Sequence, residues 1–313
     1  MIVLGSTYEP VMDALVGRLP PGTLLRRFDP QRSLADQVSD VDVLIVGSYR
    51  VTAEVIAAAP RLKLLQQHGR GVDPVDQAAA SRAGVQLANV PGGNGVAVAE
   101  LCLALLLYMA KRMAEMPHAI AGRKTGAPAG IQIYGKTLAL VGLGSSGSEL
   151  AIRANSLGMK VLAIRARPEA GLVSGVTSVF GPEELHKVLE QADFVCLLAT
   201  LTESTRGLIG AAELSAMKPT AFLINAARGE MVQYEPLLHA LESRQIAGAA
   251  FDTFWSEPAD PLDPILAAPG FFLSPHVAGF SDVSIDHVAE IVAGNIDRLG
   301  RGEQLLNLVE FKS

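Results

Sequence analysis

The sequence has little of what several large protein classes are built from. It holds only two cysteines, Cys102 and Cys196, in 313 residues. Both lie in apolar runs and read as buried free thiols. They supply neither a disulfide framework nor the spacing of a zinc site, so no metal is expected. Positive charge is in deficit, with 26 Lys and Arg against 32 Asp and Glu. The net charge of −6 argues against nucleic-acid binding, which usually needs a basic face. A small anionic ligand stays compatible, because a local cationic pocket can sit in an acidic protein. The most apolar stretch, 96–110, contains Glu100 and is too short to span a bilayer. Residues Met1–Gly5 read as a first strand, not as a charged-then-apolar signal peptide. These absences predict a cytoplasmic protein with no membrane contact. Internal repeats and low-complexity segments are missing too.

What remains is apolar and small-sided. Hydrophobic residues make up 49% and aromatics 5%, with Ala, Val, Leu and Gly prominent. That mix suits buried parallel strands under closely packed helices. Length alone suggests two domains. Strand-like runs at Val43–Val46, Leu62–Leu65 and Gln86–Ala88 alternate with helix-like Thr52–Ala59 and Val75–Ala83, the pattern of a parallel α/β sheet. Leu101–Met113 reads as a long buried helix and 122–130 as a loop. A second series of strands follows: Thr137–Val141, Lys160–Ile164, Phe194–Leu198, Ala221–Asn225, Ala247–Asp252 and Phe271–Ser274. Six strands there predict a doubly wound, Rossmann-type domain. Val283–Leu299 reads as one closing helix.

Gly142-Leu143-Gly144-Ser145-Ser146-Gly147 is a G-x-G-x-x-G between a strand and a helix read over Ser148–Asn155. Gly142 permits the tight turn, Gly144 lets backbone approach a pyrophosphate, and Gly147 lets helix pack on strand. Ser146 stands where such loops often carry an aliphatic residue. An acid that would bind a ribose 2′-hydroxyl is expected about 20 positions on. Arg165 occupies that place, and Arg167 follows. Two guanidiniums and no carboxylate favour a 2′-phosphate, hence NADP, with NAD the alternative.

Further segments complete a pattern. They are Gly69-Arg70-Gly71-Val72-Asp73-Pro74-Val75-Asp76, Asn89-Val90-Pro91-Gly92, Val98-Ala99-Glu100, and 201–209 (LTESTRGLI). Asn225-Ala226-Ala227-Arg228-Gly229, 251–258 (FDTFWSEP) and Ser274-Pro275-His276-Val277-Ala278-Gly279 follow. In this order they resemble the D-isomer-specific 2-hydroxyacid dehydrogenase family over nearly the whole chain. The resemblance implies a small anionic substrate, a 2-hydroxy or 2-oxo acid of the glyoxylate or hydroxypyruvate kind. It implies His276 as general acid/base, Glu257 as the partner of its other ring nitrogen, and Arg228 as the group orienting the substrate. Gly71 and Arg70 would lie at the substrate carboxylate. Thr200, Ala226, Asp252 and Gly279 would join Gly142, Gly144, Ser145, Ser146 and Gly147 around the cofactor. The family's layout implies a flavodoxin-like substrate domain over 1–97 and 283–313, a dinucleotide-binding domain over 98–282, and a homodimer.

The chain departs from the family at several places. Arg70 stands where a small or aliphatic residue is common, and an inward-pointing arginine would suit a more anionic substrate. Phosphite dehydrogenases of the same family place a basic residue in this loop, so a phosphorus oxyanion is an alternative. Thr200 and Leu198 replace the usual proline and histidine and would reshape the cofactor wall. Formate dehydrogenases of this fold use glutamine where Glu257 stands, which favours 2-hydroxy acids. A non-catalytic dinucleotide sensor is the alternative from another class. Pocket size would depend on Ser48-Tyr49-Arg50 and on Trp255. His118, His186, His239 and His287 read as surface or packing residues without partners, and His68 is left open.

Overall fold

The structure, a computed structural model, describes residues 1–47 and 49–311, so Ser48 lies outside the described residues. The chain forms two compact units, Met1–Asn94 with Phe280–Ser313, and Gly95–Gly279. Each is built on one parallel sheet.

The first unit contains β1 (Ile2–Leu4), α1 (Glu9–Leu15), β2 (Leu24–Arg26), β3 (Val43–Val46), α2 (Ala53–Ala57), β4 (Leu64–Gln67), α3 (Gln77–Arg82) and β5 (Gln86–Ala88). The strand order is β2-β1-β3-β4-β5. Successive side chains of β3 face opposite sides, with Leu44 and Val46 in one core and Val43 and Ile45 in the other. Both faces are therefore dry, as a parallel sheet covered by helices requires. β2 escapes the sequence reading because it is a three-residue edge strand with Leu24 exposed. The fourth strand sits two residues later than its apolar run suggests. Buried Gln66 and Gln67 belong to it, and Gln66 Oε1 accepts from Asn295 Nδ2 at 2.8 Å. A hydropathy reading stops at Leu65 because these amides are polar, but paired polar groups are tolerated inside.

The second unit runs through α4 (Gly95–Ala110), α5 (Met116–Ala121), β6 (Thr137–Val141), α6 (Ser145–Ser156), β7 (Lys160–Ile164), β8 (Ser178–Phe180), α7 (Leu185–Leu189) and β9 (Phe194–Leu197). It continues with α8 (Ala211–Ala216), β10 (Phe222–Asn225), α9 (Tyr234–Glu242), β11 (Gly248–Phe251) and β12 (Phe271–Leu273). α10 (Asp282–Arg301) returns to the first unit, starting on the Ser281 cap and ending at left-handed Gly302. The sheet order is β12-β11-β10-β9-β6-β7-β8, seven strands where the sequence suggested six. The unexpected strand, β8, is a short, half-buried edge without an apolar run.

Two expected helices begin earlier than read. α4 starts at Gly95, where a Cβ would lie 2.2 Å from Ser145 Oγ, so glycine lets it abut α6. α6 starts at Ser145, because the last residues of the glycine motif form its first turn. It buries Gly147, Leu150, Ala151 and Ala154, spaced for one helical face. His186 on α7 does have a partner: its Nε2 lies 2.9 Å from Glu213 Oε1 on α8. Their separation of 27 residues hid the pair from a reading of local context. Cys102 and Cys196 are both free and buried, as expected. Among the described residues no helix is long and apolar enough to cross a membrane.

Phe194 is fully buried on β9 and its ring lies 5.6 Å from that of Phe222. Phe194→Ala should cost about 3–5 kcal/mol of folding stability. Denaturant unfolding checks this; a loss well under 1 kcal/mol contradicts the placement.

Candidate active site

The winding of the seven-stranded sheet reverses between β6 and β9. Loops leaving the carboxyl ends of two such strands diverge and make room for a ligand. Gly142 follows β6 with φ +108°, and a Cβ there would lie 2.4 Å from the Ala199 amide nitrogen, just past β9. A Cβ on Gly147 would lie 2.3 Å from Gly142 O. The turn therefore closes only with glycine at both places. Gly144 caps α6 without a side-chain hydrogen bond, so the first amides of the helix, on Ser145, Ser146 and Gly147, face outward at its positive end. Unblocked amides beside a glycine backbone fit a dinucleotide's pyrophosphate.

Arg165 immediately follows β7. Its Nη2 donates to Gly171 O at 2.6 Å, while its Nε is buried with no hydrogen-bond partner among the described residues. Arg167 is exposed two residues on. Thr200 is exposed past β9, and its carbonyl accepts from Thr205 Oγ1 at 2.8 Å. The Ala226 amide donates to Leu197 O at 3.3 Å, fixing the loop after β10 against β9.

Three neighbouring strand ends carry Arg228, Glu257 and His276. After β10, fully buried Asn225 accepts from the Ala227 amide at 3.0 Å and donates to Arg228 O at 2.9 Å. This braces the backbone beneath Arg228, whose Nη1 donates to Ala227 O at 2.8 Å. Gly229 lets that loop press on the next, since a Cβ there would lie 2.4 Å from the Phe254 carbonyl carbon. After β11, Glu257 Oε1 accepts from the Phe254 amide at 3.0 Å. Its Oε2 lies 2.7 Å from His276 Nδ1, contributed by the loop after β12. Burial alone would raise the Glu257 carboxyl, but its hydrogen bond to His276 and the charges of His276 and Arg228 outweigh that. The net effect holds it below the usual carboxylate range.

Asp252 is almost fully buried and bonds the His276 loop rather than standing open. Its Oδ1 accepts from Ser274 Oγ at 2.6 Å and the Val277 amide at 2.9 Å, and its Oδ2 from the Ala278 amide at 2.8 Å. Burial nevertheless pushes its carboxyl above the usual range. His276 has φ +56°, a left-handed conformation rare outside glycine. Gly279 closes the same loop and ends the second unit. Trp255, whose direction the sequence left open, donates Nε1 to Val232 O at 2.7 Å and packs edge-on against Tyr234 and Phe254. Asn225, Ser274 and Gly229 were missed as site residues; polar or glycine positions at strand ends were the available signal.

Arg70 and Gly71 belong to the first unit. Their loop is tied to the end of β5, with the Val90 amide donating to Gly69 O at 3.0 Å and Asn89 Nδ2 to Arg70 O at 2.9 Å. Arg70 is exposed and Gly71 half-buried. His68 Nδ1 lies 2.8 Å from Val46 O, and its ring packs against Tyr8 at 4.5 Å. Among the described residues no cluster could hold a metal ion.

A doubly wound parallel sheet with a glycine cradle at its switch point and a paired histidine and carboxylate beside it defines a dinucleotide-linked oxidoreductase. A profile described as D-isomer specific 2-hydroxyacid dehydrogenase, NAD binding domain, matches residues 103–278. The chain is 36% identical over 289 residues to a glyoxylate reductase of Korarchaeum cryptofilum, covering 89% of this chain and 86% of that one. The TT0316 protein of Thermus thermophilus superposes with a TM-score of 0.85 at 32% identity, covering 99% of this chain and 100% of that one. An NADPH-dependent glyoxylate/hydroxypyruvate reductase of Sinorhizobium meliloti, in complex with NADP and malonate, gives 0.82 at 26% identity, covering 98% and 96%. The chain belongs to the D-isomer specific 2-hydroxyacid dehydrogenase family and is an NAD(P)-dependent enzyme of that class.

Two outcomes follow for the site. Gly229→Ala should lower stability by about 1–3 kcal/mol, because backbone of the neighbouring loop has to move; an unchanged melting curve contradicts the close approach. Glu257 titrates below its unfolded value, so its pairing stabilises the fold above the ordinary carboxylate range. That contribution disappears as pH falls through the depressed folded value. The stability gap between wild type and Glu257→Gln should therefore close on acidification in denaturant melts. A gap independent of pH contradicts the pairing.

Proposed function

We propose that the chain is an NADP(H)-linked reductase of small 2-oxo acids, acting on glyoxylate, hydroxypyruvate or a close relative. The observation that carries this is the 2.7 Å bond between His276 Nδ1 and Glu257 Oε2, beside the loop of Arg228. The bond fixes which ring nitrogen is committed. Nε2 is the ring nitrogen assigned to exchange a proton with the substrate oxygen. Glu257 holds the ring and stabilises imidazolium when His276 is charged. Arg228 grips the substrate's carboxylate and carbonyl, orienting C2 and stabilising charge on its oxygen. The nicotinamide, when bound, supplies or accepts the hydride.

The pyrophosphate is assigned to the amides of Ser145, Ser146 and Gly147 in the Gly142–Gly147 turn. Thr200, Ala226 and Gly279 line the rest of the cofactor. Arg165 and Arg167 serve the 2′-phosphate. Supporting NADP over NAD are the absence of a carboxylate at that strand end and the unpartnered Arg165 Nε. The NADP-bound S. meliloti enzyme supports the same direction, and the glyoxylate reductase relative supports the choice of acid. A homodimer is part of this reading. Met113, Met116, Ile120 and Tyr134, following α4, expose apolar surface that a second copy would cover.

Absorbance at 340 nm with NADPH or NADH, against a panel of 2-oxo acids, tests the assignment. Glyoxylate or hydroxypyruvate should be reduced, with NADPH preferred. Arg165→Ala should cost about 10- to 100-fold in kcat/KM for NADPH and little for NADH, as loss of a charge-assisted hydrogen bond predicts. Equal losses with both cofactors contradict the 2′-phosphate role. Tight dinucleotide binding with no turnover of any acid would favour a sensor. In light scattering the protein should run as a dimer, and Ile120→Asp should shift it to monomer; an unshifted mass contradicts the proposed interface.

A further inference from the structure

A left-handed backbone at a histidine needs something to hold it. His276 sits at φ +56°, between a loop entry at Ser274 and an exit at Val277 and Ala278. All three flanking residues donate to one group, the Asp252 carboxylate, at 2.6, 2.9 and 2.8 Å. Asp252 stands at the end of β11 and is 1% exposed. Ser274 is also tied by its backbone, its amide donating to Phe251 O at 2.8 Å.

We propose that Asp252 is a positioning residue that clamps the 274–278 loop on both sides of His276 and so sets the backbone from which the imidazole is aimed. This rests on the reading of His276 as the acid/base. Two restraints then act on one side chain, and both come from the segment that leaves β11. Glu257 fixes the ring through Nδ1, and Asp252 fixes the Cα that carries it.

The chemistry demands a carboxylate. Three donors converge on it, and an ionised carboxylate offers about four acceptor sites and no donor. Asparagine could still accept at Oδ1 from Ser274 and Val277. Its NH2 would face the Ala278 amide, donor against donor, and that strand of the clamp would open. Ser274→Ala is milder: it removes one donor and leaves the carboxylate and both amides.

The test measures kcat, dinucleotide affinity and amide exchange on the whole protein, in wild type, Asp252→Asn and Ser274→Ala. Glyoxylate and NADPH are the substrates, and NADPH fluorescence reads cofactor affinity. Hydrogen exchange reads the amides of Val277 and Ala278. Asp252→Asn should lower kcat about 100-fold, the scale of a small misplacement of a reacting group. Cofactor affinity should move far less, and the two amides should exchange faster. Ser274→Ala should show the same amide signature with a kcat loss of about fivefold to tenfold, the scale of one hydrogen bond. If Asp252→Asn does not fold, Ser274→Ala decides alone. Undiminished kcat, unchanged exchange of the two amides, or a loss lying only in cofactor affinity would overturn the proposal. If the wild type reduces no 2-oxo acid, the activity reading fails, and the amide exchange still decides whether the clamp exists.

Discussion

A 2.7 Å hydrogen bond between His276 Nδ1 and Glu257 Oε2 is the constraint on which the proposed chemistry depends. Its partners are 19 residues apart and come from loops after different strands. A bond that short tolerates little error in either loop. Each loop is therefore pinned at its root, by Asn225 beneath Arg228, by the Phe254 amide at Glu257, and by Asp252 beneath the His276 loop. A parallel sheet makes such pinning economical. It delivers β10, β11 and β12 side by side and in register, so three loop roots start from one rigid edge.

Steric limits do as much as polar ones. Gly142, Gly147 and Gly229 each stand where a Cβ would meet backbone at less than 2.5 Å. Two of these contacts close the cradle around the first turn of α6, and the third presses the Arg228 loop onto the Glu257 loop. The glycine cradle and the Arg228 and Glu257 loops thus share one device, backbone packed directly on backbone. Electrostatics then differ by place. The helix end and Arg165 favour anions at one side of the sheet, while burial and pairing set the states of Glu257 and Asp252 at the other.

Much of this was legible in the sequence because it is local. β3, β5, β6 and β7 have the bounds read from the sequence, and β3, apolar and buried throughout, leaves an uninterrupted hydropathy signal. The glycine motif announced its own turn. Arg228, Glu257 and His276 were singled out from motifs that the chain order brings to adjacent strand ends. What stayed hidden was of two kinds. β2 and β8 are edges with half-exposed faces, so they lack the run that marks a strand. The roles of Asp252, Asn225 and Glu213 depend on partners and directions that residue identity does not encode. Asp252 reaches donors 22 to 26 residues away, and no spacing rule predicts which of them a side chain meets.

The central claim is that His276, held by Glu257, exchanges the proton that accompanies hydride transfer. Its most direct measurement is single-turnover oxidation of bound NADPH by glyoxylate in wild type and His276→Ala. General acid/base catalysis contributes about 100- to 10,000-fold, so the rate should fall by that amount while NADPH binding is retained. A His276→Ala enzyme that turns over at the wild-type rate with NADPH bound would contradict the account.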